Sequence, residues 1–258
     1  MSTIIYPSPI FGPVKSRRLG ISLGINLLPK EGKMCSFDCI YCECGLNKQR
    51  RTHNPLPTKE EVCEALEAKL LSMQQEGITP DVLTFAGNGE PTLHPHFPEI
   101  AVALREIRSR LCPDAKLSIL SNATQIHRPE IRQALLLFDN NIQKLDTVNM
   151  DYIRRVDRPQ GRYDVESQIR NLMLFEGHVI IQTMFMRGIY NNVDVDNTGD
   201  EYVVPYLEAL CRIRPSMVMI YTIDRETPVS GLMKASPERL DAIARRIGEL
   251  GFKVSVSY

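Results

Sequence analysis

Apolar and polar residues alternate along this chain with two periods. Short, mostly apolar runs recur at 24–28 (GINLL), 81–86 (DVLTFA), 116–120 (KLSIL), 144–150 (KLDTVNM), 179–185 (VIIQTMF) and 217–221 (MVMIY). Runs of this length, bounded by turn residues, predict buried strands. Between them the apolar positions fall three and four apart. Thr58 and Glu61 form a capping box, and Val62, Leu66, Leu70 and Met73 follow on one helical face. Helices are predicted at 98–111, stopped by Pro113, and at 129–138. Two more are predicted at 167–175, ending at Gly177, and at 201–211, with Pro205 near its start. The best-marked helix is 236–250. Ser236 caps it, Pro237 takes the first position, Leu240, Ile243, Ile247 and Leu250 share a face, and Gly251 stops it.

About six strand–helix units in succession predict parallel strands with helical crossovers, hence an α/β barrel or open sheet. In such folds the chemistry sits in loops at the C-terminal ends of strands. No internal repeat or low-complexity tract interrupts the pattern. We read 1–258 as one domain: an N-terminal extension at 1–24, a barrel core at 25–235, and a terminal helix and strand at 236–258.

Composition narrows the choice of function. With 258 residues and 43% hydrophobic content, a sizeable core is available and global disorder is excluded. Thirty-one basic and thirty-one acidic side chains cancel, which argues against a protein whose task is to coat nucleic acid. The longest apolar runs, such as 100–104 and 134–138, are far shorter than the roughly 20 residues of a bilayer span. The first residues, MSTIIYPSPIFGPVK, carry no signal-peptide pattern, so a cytoplasmic location is expected. There disulfides are rare, and the 7 cysteines are an odd number. Cys35, Cys39, Cys42 and Cys44 cluster directly after the first strand, a pattern that reads as metal-binding or catalytic.

Cys35, Cys39 and Cys42 are spaced C-x3-C-x2-C, bracketed by Gly32 and Gly45. Three thiolates this close can wrap one soft metal centre. On a [4Fe–4S] cluster they leave one iron open, as a catalytic site needs. Two rival readings exist. The spacing also fits one buried face of a helix, with cysteine as a small hydrophobe. A structural zinc could take Cys44 as fourth ligand, although four ligands in ten residues are crowded.

The triplet, with Tyr41 before its last cysteine, resembles the radical S-adenosylmethionine (SAM) superfamily. The segments FGPVKSRRLG (11–20), KMCSFDCIYC (33–42), GEPTLHP (89–95) and YTIDR (221–225) resemble the group related to the wyosine-base enzyme 4-demethylwyosine synthase. The resemblance covers residues from about 10 to 230. It implies a partial (β/α)6 TIM-like barrel, with Cys35, Cys39 and Cys42 holding a [4Fe–4S] cluster whose open iron takes the amino and carboxylate groups of SAM. It implies reductive cleavage of SAM to methionine and a 5′-deoxyadenosyl radical, which abstracts hydrogen from a substrate. An electron donor such as flavodoxin or ferredoxin is the implied partner. The wyosine enzymes carry further cysteines upstream of the triplet. None precedes Cys35 here, so the wyosine reaction itself is not implied.

The resemblance also assigns cofactor contacts. Gly87, Asn88, Gly89 and Glu90 follow the strand at 81–86, where the superfamily holds the SAM ammonium; a carboxylate suits an ammonium and glycine admits close approach. The rival reading is an Asn-Gly hairpin turn. Ser121 and Asn122 follow the next strand and would bind SAM, or else cap a helix. Tyr41 would lie beside the cofactor. Asn149 and Asp151 are read as ending the strand at 144–150, with Asp151 a candidate for ribose hydroxyls, and Gln182 and Thr183 lie in the strand after it.

On the substrate side, Arg154 and Arg155 are read in a basic loop and Arg225 in the loop after 217–221. Arg17, Arg18 and the run Lys48, Gln49, Arg50, Arg51 flank the cysteine loop. These would meet an anionic substrate such as RNA, or are simply solvated charges. An RNA base is the leading substrate; a peptide, protein or small metabolite stays open. Two other functions compete: a non-catalytic iron–sulfur or zinc binding module, and an activase acting on a partner protein. His94 and His96 make a poor metal pair. Cys63, Cys112 and Cys211 read as small hydrophobes, and Cys44 as a spare ligand or radical-quenching thiol.

Overall fold

The structure, a computed structural model, describes residues 4–16, 20–50 and 52–258. Strands β1 (Ile10–Ser16) and β2 (Gly20–Ile25) open the chain, followed by the cysteine-bearing loop. Helix α1 (Lys59–Gln75) leads to β3 (Val82–Phe85), and α2 (Phe97–Leu111) to β4 (Lys116–Ser121). Next come α3 (Pro129–Leu135), β5 (Asn140–Lys144), α4 (Met150–Val156), α5 (Val165–Met173) and β6 (Ile180–Met184). Two short strands, β7 (Met186–Tyr190) and β8 (Val193–Asp194), precede α6 (Asp200–Ile213) and β9 (Met217–Tyr221). The chain ends with β10 (Leu232–Lys234), α7 (Pro237–Glu249) and β11 (Val254–Ser257).

Eight strands form one sheet in the order β1-β2-β3-β4-β5-β6-β9-β11. From β2 onward every pairing is parallel; β1 lies antiparallel on the outer edge of β2. Among the described residues β1 and β11 remain edges, so the barrel is partial. A second, antiparallel sheet joins β10, β7 and β8.

The two-residue alternation of strand side chains divides the sheet into two faces. Leu23, Ile25, Leu83, Phe85, Leu117, Ile119, Ile181, Val218 and Ile220 are buried in the main core with the apolar stripes of the helices. Those stripes include Leu66 and Leu70 of α1, Ile100 and Leu104 of α2, and Leu240 and Ile247 of α7. Intervening residues point the other way. Ser22, Thr84, Leu120, Lys144, Gln182, Met219 and Tyr221 face a cavity of about 580 Å³.

Several elements differ from the sequence expectation. The first parallel strand ends at Ile25 rather than running over 24–28, and the stretch 1–24, read as an extension, supplies β1 and all but the last residue of β2. The strand expected at 144–150 lies at 140–144 instead; inside it Asn141 donates to the His178 carbonyl (3.0 Å) and Gln143 Nε2 to Asn141 Oδ1 (2.6 Å). Buried amides had masked its apolar signal. The helix expected at 129–138 stops at Leu135, and Pro205 sits beyond the first turn of α6. The small sheet was not foreseen.

Candidate metal centre and its cavity

The loop after β2 is fixed by main-chain hydrogen bonds to two other loops. Met34 N–H donates to the Asn88 carbonyl (2.9 Å), and Glu90 N–H donates to the Met34 carbonyl (3.0 Å), making one bridge to the loop after β3. Asp38 N–H bonds the Asp157 carbonyl (3.0 Å) and Ile40 N–H the Val156 carbonyl (2.9 Å), at the end of α4. Phe37, Ile40 and Tyr41 are buried there with Tyr152, Val156 and Met184. The segment is therefore a built loop and not a helix, which removes the reading of the three cysteines as a helix face.

Cys39, Cys42 and Cys44 line the cavity. Cys35 is not part of that lining and accepts an N–H from Asn122 Nδ2 at 3.5 Å. Burial pushes the Cys35 thiol up to about 12, and it also raises Cys39, against the pull of Lys144. Cys42 is held below the usual thiol range by a hydrogen bond from Cys44, and that bond raises Cys44 in turn. Cys44 Sγ also approaches the Gly87 carbonyl at 3.4 Å. Lys33 is 6% exposed, and its Nζ donates to the Gly45 carbonyl at 2.7 Å. Burial opposes its charge, yet the neighbouring Cys42, Cys35 and Cys39 together keep it above the usual lysine range.

The neighbouring loops supply mostly fastening. Gly87 and Gly89 line the cavity, whereas Asn88 and Glu90 do not. Asn88 accepts from Tyr6 N–H (2.8 Å) and donates to the Tyr6 carbonyl (2.9 Å) and the Pro29 carbonyl (3.3 Å), anchoring the N-terminal segment. Glu90, 1% exposed, accepts from Thr92 N–H (3.1 Å) and Oγ1 (2.5 Å) with one oxygen and from Asn122 N–H (2.5 Å) with the other. Its carboxylate thus ties the loop after β3 to the loop after β4. Ser121 accepts from Ala123 N–H (3.0 Å), and Asn122 Nδ2 also donates to Ser36 (2.9 Å).

Other expected site residues lie elsewhere. Asn149 caps α4, and Asp151, Arg154 and Arg155 belong to that helix instead of a strand end or loop. Asp151 and Arg154 pair on the surface (3.1 Å), outside the cavity. Gln182 lines the cavity; Thr183 points away and bonds the Leu145 carbonyl (2.8 Å) and Tyr206 (2.6 Å). Arg225 stands at the cavity rim, where it donates to Glu43 (2.7 Å) and the Tyr6 hydroxyl (3.0 Å). Lys48 is exposed; Arg17, Arg18 and Arg51 lie outside the described residues. Cys211, read as a small hydrophobe, is exposed on α6.

The His94–His96 pair is not a metal site. His94 Nε2 donates to the Pro57 carbonyl (3.0 Å) while Nδ1 accepts from His96 N–H (3.1 Å), so both ring nitrogens are used. Among the described residues, no group of three or more histidine, cysteine or acidic side chains is arranged to hold a metal ion. A zinc site requires four ligands within roughly 2.0–2.3 Å of one centre. A multi-iron cluster takes each thiolate on a different iron, so its ligands stand apart. Three thiols of one loop, Cys39 and Cys42 lining the cavity and Cys35 held by Asn122, fit that second kind of group.

Comparison with known proteins places the chain. No family model matches it. A UPF0026 protein of Helicobacter pylori is 33% identical over 226 residues, covering 85% of this chain and 67% of that protein. The chain belongs to the UPF0026 family. A UPF0026 protein of Methanocaldococcus jannaschii is 31% identical over 221 residues, 82% of this chain and 62% of that one. A Brachyspira hyodysenteriae protein named GTPase Obg is 31% identical over 224 residues, but the chain spans only 30% of its length. Among solved structures, a radical SAM methyltransferase from Sphaerobacter thermophilus superposes with TM-score 0.69 at 16% identity, over 92% of this chain and 66% of that one. Archaeal TYW1 superposes with TM-score 0.54 at 14% identity, over 88% and 71%. The fold of this UPF0026 chain is therefore the partial TIM-like barrel of radical SAM enzymes.

One cluster in this barrel escaped the sequence reading. Lys144, on the cavity wall, hydrogen-bonds both Tyr41 Oη and Asp146, and Tyr41 Oη donates to Asp146. Lys144 also meets Asp157 at 3.0 Å, and Cys39 Sγ lies 3.7 Å from Asp157. Burial raises Asp157, against the pull of Lys144. The available signal was Lys144 and Asp146 flanking Leu145, two charges on one side of a buried segment.

Proposed function

We propose that this chain is a radical SAM enzyme, with Cys35, Cys39 and Cys42 holding a [4Fe–4S] cluster and SAM bound in the cavity beside it. The observation that carries the reading is the three-thiol loop, placed after the first parallel strand and laced onto the loops after β3 and β4, at one end of a hollow barrel. When bound, the two cofactors supply a 5′-deoxyadenosyl radical by one-electron cleavage of the S–C5′ bond. The chain's own residues position and shield. Gly87 and Gly89 let backbone come close to the cofactor. Asn122 orients Cys35, and Glu90 holds the two cofactor loops together. Leu120, Ile142, Met184 and Met219 give the cavity an apolar wall that excludes water.

Our substrate proposal is an RNA base reaching the cavity past Arg225, with a flavodoxin- or ferredoxin-type electron donor. We treat 1–258 as one domain, since a single sheet runs from β1 to β11. Among the described residues no helix is long and apolar enough to cross a membrane. The test is anaerobic reconstitution with iron and sulfide, then dithionite and SAM, with chromatography for 5′-deoxyadenosine. Its formation, increased by RNA but not by peptides or small metabolites, is the expected result. Zinc in the purified protein, or a loaded cluster that never cleaves SAM with any of these substrates, would overturn the reading.

A further inference from the structure

The cavity wall made by β1, β2 and β3 holds a recess away from the cysteine loop. Phe11, Gly24 and Thr84 form one row across these strands, Phe11 paired with Gly24 and Gly24 with Thr84, and all three line the cavity. Gly24 yields its place to the Phe11 ring: a Cβ there would stand 2.1 Å from Phe11 Cζ. Tyr6, also in the lining, stacks on that ring with centroids 4.6 Å apart and planes at 29°. Asn88 fixes the Tyr6 main chain (2.8 and 2.9 Å), and Arg225 donates to its hydroxyl (3.0 Å). Ser22 stands two residues before Gly24 and also lines the cavity. Ser22 and Thr84 are 5% and 6% exposed, and their hydroxyls hydrogen-bond each other at 2.9 Å. A hydroxyl donates once and accepts twice, so the bonded pair keeps one hydrogen and several lone pairs unspent. Among the described residues no other hydrogen bond reaches them. An aromatic laid over a cross-strand glycine steadies a sheet edge by itself. That role calls for neither a second ring from the N-terminal segment nor buried hydroxyls with a donor to spare.

We propose that this recess is the substrate subsite and takes a planar heteroaromatic ring, a nucleobase, with Tyr6 and Phe11 as its stacking surface and the Ser22–Thr84 pair bonding its polar edge. The inference deepens the function proposed above and rests on it. A base has an apolar face and an edge of donors and acceptors, and proteins that take one out of a strand stack the face and hydrogen-bond the edge. In a buried recess that edge must find partners. The hydroxyl pair suits it, because either hydroxyl can donate within the pair while the other turns its hydrogen toward an acceptor on the ring. Its lone pairs take a ring N–H equally well. An aliphatic metabolite has no face to stack. Arg225 touches Tyr6 at the cavity rim, so the ring surface reaches the entrance.

The experiment uses the cluster-loaded full chain, oxidised and saturated with SAM, so that the cofactor site is filled and no cleavage occurs. The probe is a single-stranded hexaribonucleotide carrying one 2-aminopurine, whose fluorescence is quenched by stacking. Wild type should bind it with quenching. Phe11→Leu and Tyr6→Leu should weaken binding about tenfold and lose the quenching. Tyr6→Phe, which keeps the ring, should retain it. Gly24→Ala leaves Phe11 in the sequence but drives its ring aside, so it should behave as Phe11→Leu does. The double variant Ser22→Ala, Thr84→Val should weaken binding about fivefold with quenching kept. Thermal melts check that each variant folds. Unchanged binding and quenching in folded Phe11→Leu, Tyr6→Leu and Gly24→Ala proteins overturn the inference and leave the functional reading intact. Wild-type binding without quenching overturns it as well, and so does failure of every variant to fold, by making these side chains structural. A chain that cleaves SAM yet binds no probe overturns the inference and the RNA substrate together, with radical SAM chemistry standing. A chain that takes up no cluster defeats the functional reading, and the inference with it.

Discussion

Replacing Gly89 with alanine tests whether the cysteine loop depends on its bridge to the loop after β3. Gly89 has φ +134°, a conformation that L side chains rarely adopt. A Cβ there would lie 1.8 Å from the Met34 carbonyl oxygen and 3.1 Å from Leu28 Cδ1. The Met34 oxygen cannot retreat freely, because it accepts from Glu90 N–H at 3.0 Å while Met34 N–H donates to Asn88 at 2.9 Å. Backbone strain of this kind costs about 1–3 kcal/mol. Losing two buried main-chain hydrogen bonds adds about 1 kcal/mol each. The sum, about 3–5 kcal/mol, is a large part of a net stability of about 5–15 kcal/mol. With a urea slope of about 3 kcal/mol per molar, the unfolding midpoint should fall by about 1–1.7 M. Iron uptake on reconstitution should fall with it, since Cys35 directly follows Met34. Gly248→Ala is the control: Gly248 lies within α7 with nothing near its would-be Cβ, so alanine should stabilise by about 0.5–1 kcal/mol. A Gly89→Ala protein with wild-type midpoint and full iron uptake would refute the argument.

Alanine at Cys35, Cys39 or Cys42 should abolish cluster binding and 5′-deoxyadenosine formation, whereas Cys44→Ala should keep full iron content by elemental analysis. Lys144→Met leaves Asp146 and Asp157 buried without their cation, so the urea midpoint should report a loss of about 3–5 kcal/mol. Burial holds His94 below the usual histidine range. The unfolded chain then binds the proton more readily, so the His94 contribution is present above about pH 6.5 and is lost as pH falls below it. Urea midpoints from pH 8 to 5 should show this decline, and His94→Asn should flatten it. Arg225→Ala removes an exposed ion pair and should change stability by less than about 1 kcal/mol in the same assay.

Residues that obey simple periodicity were legible from sequence. The 217–221 run is β9, Ser236 caps α7, and the Thr58–Glu61 capping box forms with Glu61 accepting from Thr58 N–H at 2.6 Å. The reading failed where polar side chains pair inside a strand, as at Asn141 and Gln143. It also failed at β1 and the small sheet, whose antiparallel pairings leave several side chains exposed and give no apolar run. Arg154 and Arg155 stand on a helix and not in a loop because the preceding strand ends at Lys144, six residues before its expected end.

At the site, a residue's type identified its neighbourhood better than its task. Asn88, Glu90, Ser121 and Asn122 all stand in the loops expected to meet a cofactor, yet their polar atoms are taken by main-chain groups and by one another. A buried carboxylate or amide has to find partners, and the nearest ones belong to the next loop. Such residues act by holding glycine backbone and thiols in place. The same logic explains why the cavity itself could have been read from the strands. Ser22 and Thr84 are polar positions in strands whose other faces, Leu23 with Ile25 and Leu83 with Phe85, are apolar. In a sheet covered on both sides by protein such positions would be apolar too. Their polarity marks the side that faces a hollow, and Cys39 and Cys42 line that hollow.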